Sequence, residues 1–132
     1  MLRGRSSKGH WWGVVLDAPD PQALGLFYAE MLGWEIHKNR PDEFVLAVPG
    51  GSEAYMSFQP QKSAEWVRPI WPARDGHQQM MMMHLDVEVR ELDEAVAHAV
   101  ELGATAAEHQ PQEDVRVLYD PAGHPFCLYI GE

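Results

Sequence analysis

The sequence predicts an α+β fold made of two βαβββ modules whose curved mixed sheets surround one cleft. Three observations carry this. Each half opens with an apolar strand, continues into an amphipathic helix through an acidic turn, and ends that helix on Leu-Gly. The landmarks are Val14-Val15-Leu16, Asp20-Pro21, Phe27-Tyr28 and Leu32-Gly33 in the first half, then Leu85, Val87, Val89, Leu92-Asp93, Ala99-Val100 and Leu102-Gly103 in the second. The offsets from Gly33 to Gly103 and from Gly13 to His84 agree within one residue, so the repeat runs through strand and helix with almost no insertion.

The elements follow in order. A strand spans about residues 11–18, with Trp11 and Trp12 on opposite faces. Asp20 caps the first helix, and Pro21 sits at a position where a missing N–H costs nothing. Leu24, Phe27, Tyr28, Met31 and Leu32 form the buried stripe, and Gly33 supplies a left-handed stop. Strands are expected near residues 34–38, 43–48 and 54–59, separated by turns at 39–42 and 49–52. Residues 60–79 have no period and hold Pro60, Trp66, Pro69, Trp71, Pro72 and Gly76, the character of a linker with a function of its own. The second copy has a strand over about 81–89, and a helix over 92–102 with Leu92, Ala95, Val96, Ala99 and Val100 inward. Strands near 105–109, 115–119 and 126–130 complete it, and Asp120-Pro121-Ala122-Gly123 makes a tight turn before the last.

The domain reading is a basic tail over 1–9, then a single domain over 10–132: a module over 10–59, the linker 60–79 and a module over 80–132. Each half alone would be marginal in size, which argues for a shared core. The formal net charge of −10 disfavours binding nucleic acid, which rests on Lys and Arg at phosphates, and disfavours docking on anionic membranes. No apolar stretch reaches the roughly 18 residues of a membrane span. Arg3, Arg5 and Lys8 resemble the start of a signal peptide, but the apolar run after them is too short and Asp17 follows. One cysteine, Cys127, excludes an internal disulfide and fits a cytoplasmic location. There is no phosphate-binding glycine loop, nucleophile elbow or paired-cysteine zinc spacing.

The element order with these residues resembles the vicinal oxygen chelate superfamily, which includes glyoxalases, bleomycin-resistance proteins and extradiol dioxygenases. The carrying residues are Asp20-Pro21, Phe27-Tyr28 and Leu32-Gly33-Trp34, then His84-Leu85-Asp86-Val87, Leu92-Asp93-Glu94-Ala95, Leu102-Gly103-Ala104 and Asp120-Pro121-Ala122-Gly123-His124-Pro125-Phe126. They cover about residues 11–130. The small glyoxalase-like proteins of bacteria are the nearest in pattern, through Pro69-Ile70-Trp71-Pro72 and the run from Gln78 to Asp86. The resemblance implies one metal held by a His or Gln on the first strand of each copy and a Glu on the last. Carried over, these positions are His84, Gly13, Cys127, and Ser57 or Gln59. One strong ligand of four remains, where a catalytic divalent site takes about three, so a metal is disfavoured and no cofactor is expected.

Several roles follow as expectations. His84 is the candidate catalytic residue, with hydrogen bonding to backbone or Ser57 as the plain alternative. Cys127 reads as a small buried hydrophobe or a soft ligand. Met80 and Met82 share the face of His84 and should line the cleft, and Trp11, more than Trp12, should fill the volume beside Gly13. Trp66 or Trp71 should cover the mouth. Asp86 and Glu88 share the His84 face and suit a cationic ligand or a solvated rim.

The function these imply is binding of a small aromatic or apolar molecule, of the sequestration or resistance type, without a catalytic metal. The alternatives are a lyase, isomerase or dioxygenase working around His84, and a structural subunit with a vestigial cleft. A homodimer is compatible with an exposed sheet edge or with the tryptophan segment.

Overall fold

The computed structural model describes residues 3, 12–51, 54–61, 66, 68 and 84–130, without the side chains of Trp12, Asp86 and Glu88. The chain divides into two compact units, residues 1–66 and 67–132. Each is βαβββ. The first holds β1 (Trp12–Ala18), α1 (Pro21–Leu32), β2 (Ile36–Arg40), β3 (Glu43–Ala47) and β4 (Ala54–Pro60). The second holds β5 (Leu85–Val89), α2 (Leu92–Leu102), β6 (Thr105–Ala106), β7 (Val115–Tyr119) and β8 (Pro125–Ile130). The sheets run β1-β4-β3-β2 and β5-β8-β7-β6. In both, the first strand pairs parallel with the last and the other pairs are antiparallel.

α1 begins where its chemistry dictates. The Asp20 carboxylate accepts from the Ala23 N–H at 3.0 Å, and Pro21 opens the first turn. Gly33 ends it at φ 67°, donating its N–H to the Ala29 carbonyl at 2.9 Å. The stripe of α1 buries Leu24, Phe27 and Tyr28 against the sheet face made by Phe44, Leu46, Met56 and Phe58. Tyr28 stacks on Phe58 with centroids 5.5 Å apart, and Phe44 meets Phe58 edge to face at 6.1 Å. Among the described residues the opposite face of this sheet carries no helix, and it presents Gly13, Val15, Asp17, Val45, Tyr55, Ser57 and Gln59, as the alternation of strand side chains requires.

The second unit follows the same logic more sparsely. Ala99 is the buried residue of α2, while Phe126 and Leu128 supply the helix-facing layer of β8. Val100, expected inward, is 46% exposed. It stands one position past Ala99, and the 100° step of the helix carries it off the narrow buried stripe. β6 has two residues where the sequence suggested five. Gln110 takes over the missing ladder: its amide donates to the carbonyls of Ala107 and Val117, and its oxygen accepts from the Val117 N–H at 2.8 Å. Gln110→Ala is expected to lower unfolding free energy by about 1–2 kcal/mol, read by urea denaturation; an unchanged midpoint would show that water replaces the clamp.

Other boundaries moved. β2 starts at Ile36 and runs through Arg40, so the turn expected at 39–42 shrinks to Pro41-Asp42. β5 starts at Leu85; residues 80–83 lie outside the described set. Among the described residues no helix is long and apolar enough to cross a membrane.

Candidate functional site

The helix-free face of each sheet holds a cavity. In the first unit a cavity of about 300 Å³ is lined by Val15, Val45, Ala47, Tyr55, Ser57 and Gln59, with His37, Lys38 and Glu43 at one side. In the second, about 280 Å³ is bounded by His84, Gln112, Asp114, Val115, Cys127, Tyr129 and Ile130. Ser57, Gln59, His84 and Cys127, all expected from sequence, therefore line cavities. Ser57 and Cys127 are buried; Gln59 and His84 are exposed. Trp66 is half-buried and is not among the described residues lining either cavity. Trp11, Trp71, Met80 and Met82 lie outside the described residues, as does the Trp12 side chain, although the Trp12 backbone pairs with Ala54.

Strand register decides between Ser57 and Gln59 as the counterpart of Cys127. Cys127 pairs with Asp86, and Asp86 follows His84 by two. In the first unit Val15 follows Gly13 by two, and its partner is Ser57. The β7 and β3 ladders agree, since Val117 pairs with Cys127 and Val45 with Ser57. Gln59 lies one pleat further along the same face.

Gly13 has a steric reason that sequence did not reveal. A Cβ built there would sit 2.5 Å from the Tyr55 ring and 2.6 Å from the Tyr55 carbonyl oxygen. The Tyr55 ring is the aromatic group that the described residues place beside Gly13, while Trp11, expected there, lies outside them. The signal was present, because Tyr55 lies two residues before Ser57 and so shares its face.

On the resemblance, and with this register, the superfamily's four ligand positions correspond to Gly13, Ser57, His84 and Cys127. They offer an imidazole, a thiol and a hydroxyl, with no carboxylate. Any side chain at Gly13 would have to displace Tyr55. Among the described residues no group of three His, Cys, Asp or Glu side chains is placed to hold a metal ion. This donor set does not fit the carboxylate-rich divalent centre that the fold family implies.

His124 has a structural post. The Asp120 side chain is fully buried, and its Oδ1 accepts from the N–H groups of Ala122, Gly123 and His124 at 2.9, 2.9 and 3.0 Å. Its Oδ2 lies 2.7 Å from Nδ1 of His124. The Asp-Pro-Ala-Gly-His segment is a carboxylate-centred turn that sets where β8 begins. Arg68 braces it from outside, donating to the Pro121 carbonyl at 2.6 Å.

Known proteins agree with this geometry. Among curated proteins none matches the sequence. A glyoxalase/bleomycin resistance protein/dioxygenase family enzyme from Burkholderia phytofirmans PsJN has a similar structure at 20% identity and TM-score 0.64, over 88% of this chain and 94% of that one. A glyoxalase-related enzyme from Fulvimarina pelagi is similar at 18% identity and TM-score 0.63, over 96% and 89%. A mutant of the fosfomycin resistance protein FosX from Listeria monocytogenes, complexed with Mn(II) and 1S,2S-dihydroxypropylphosphonic acid, is similar at 16% identity and TM-score 0.65, over 100% and 93%. At these identities the likeness is one of fold. The sequence itself matches the glyoxalase-like domain over residues 13–129, which spans both βαβββ units, and on that match the chain belongs to the glyoxalase-like domain family of the vicinal oxygen chelate superfamily.

Proposed function

We propose that this protein binds a small aromatic or apolar molecule on its open strand faces, without a catalytic metal, in the manner of a sequestering or resistance protein. The observation that carries the reading is the pair of cavities on the helix-free faces, each mixing apolar side chains with a few polar groups. That mixture is the usual character of a small-molecule site, and about 300 Å³ is at the small end of the range. Val15 supports it: this valine is 46% exposed in the middle of the first cavity, apolar area that a ligand would cover. The replaced ligand positions at Gly13, Ser57 and Cys127 support a metal-free mode. The second reading, a lyase, isomerase or dioxygenase around His84, draws on one observation, that His84 and Cys127 line the same cavity.

The test is thermal unfolding of chelator-treated protein with a panel of aromatic antibiotics and metabolites. At a hundredfold excess over Kd a bound compound stabilises by about 2.7 kcal/mol, several degrees in Tm. Val15→Trp or His84→Trp, both at exposed positions, should abolish the shift while leaving the unliganded Tm near that of the wild type. No shift with any compound would refute binding. Turnover of a compound, lost on His84→Ala, would establish the enzymatic reading instead.

A further inference from the structure

Among the polar residues lining the first cavity, Ser57 alone is buried, at 3% exposure. Among the described residues its hydroxyl has no hydrogen-bond partner. Every side-chain nitrogen or oxygen wholly shut from solvent among the described residues does have one. The little area that Ser57 keeps therefore includes its oxygen, and that area opens on the cavity.

The strand register gives this hydroxyl apolar neighbours. Ser57 stands between Val15 on β1 and Val45 on β3. Beyond Val45 the row reaches Lys38 through a β-bulge at His37, where β2 advances two residues while β3 advances one. The Lys38 amine is held in ion pair with Glu43. Along β4 the neighbours on this face are Tyr55 and Gln59, each about 7 Å away.

Burial separates Ser57 from those two. Tyr55 is half-buried and Gln59 exposed, so solvent reaches their polar groups, and a ligand bound to either exchanges one partner for another. A water at Ser57 meets valines on both sides and finds few of the two to four partners that hold a water well. A ligand atom that takes its place loses little. The kind of atom follows from the hydroxyl, which carries one proton and two acceptor lone pairs. A ligand acceptor uses the proton. A ligand donor uses a lone pair and leaves the proton between two valines, and unpaired donors are the rarer orphans in native structures.

We infer that Ser57 is the specificity-determining residue of the first cavity, and that the cavity favours flat aromatic compounds with a hydrogen-bond acceptor built into the ring system, such as a ring ketone. The rings lie over Val15 and Val45, and the acceptor faces the hydroxyl. This rests on the binding reading above and adds to it a ligand class and the residue that reads it.

The test follows the amide chemical shifts of isotope-labelled protein during titration with 1-indanone, indole and indane. These bicyclic compounds are of one size and offer an acceptor, a donor and neither. Ser57→Ala should weaken 1-indanone about fivefold, the worth of one net hydrogen bond, and change indole and indane by less than about twofold. The unliganded variant should unfold at the wild-type Tm or above, because it loses only a hydroxyl without a partner. Val15→Trp should remove the binding of all three. Equal weakening of the three by Ser57→Ala, or an unchanged affinity for 1-indanone, would overturn the inference while leaving the binding reading in place. A Tm several degrees lower would give the hydroxyl a structural bond and do the same, as would 1-indanone that still binds Val15→Trp. If none of the three binds the wild type the inference fails; if the wider aromatic panel also fails, the binding reading goes with it.

Discussion

Asp120→Ala is expected to lower the unfolding free energy by about 3–4 kcal/mol. The carboxylate is fully buried and holds three backbone N–H groups together with His124 Nδ1. Truncation leaves the N–H groups of Ala122 and His124 without this acceptor; Gly123 keeps a second bond, to the Asp120 carbonyl. The start of β8, and with it the placement of Cys127, depends on this turn. Asp120→Asn retains an oxygen for the three N–H groups and should cost only about 1–2 kcal/mol. Urea denaturation of both variants checks the order. Equal losses would mean that the charge, not the oxygen, holds the turn.

Gly25→Ala is the second large effect, and its sign separates two accounts. By helix propensity alone the change stabilises a helix interior by about 1 kcal/mol. In the structure a Cβ at Gly25 would overlap the ring of Phe44, which is fully buried between α1 and the sheet. Overpacking of about 3 kcal/mol then outweighs the propensity gain, and a net loss of about 2 kcal/mol is expected. Phe44→Leu in the Gly25→Ala background should recover part of it. A stabilised single variant would mean that α1 can shift away from β3 at little cost.

These two positions illustrate what the residues reveal unaided. Helix punctuation is local chemistry, so Asp20, Pro21 and Gly33 were legible, and the repeat then supplied the βαβββ order of elements along each half. Gly25 was not legible, because its reason is a ring on β3 that only the tertiary fold brings close. The same holds for Gly13, whose absent side chain makes room for Tyr55. Ser57, Gln59, His84 and Cys127 were readable as cavity residues through the family resemblance, which carries its ligand positions onto the first and last strands of each copy. His37 and Lys38 were missed because a bulge breaks the strand period of two, and no residue between Trp34 and Arg40 announces it. Gln110 was missed for the opposite reason: a side chain does the work of a strand that sequence pattern assigned to the backbone.

The central claim is that binding on the open strand faces needs no metal. The most direct measurement takes the tightest compound of the aromatic panel and titrates it calorimetrically into protein stripped by exhaustive chelation. The titration is then repeated after addition of Mn²⁺, Ni²⁺ or Zn²⁺. The account predicts the same Kd, within about twofold, in every case. Binding that appears only with a metal present, and is lost on His84→Ala, would contradict it.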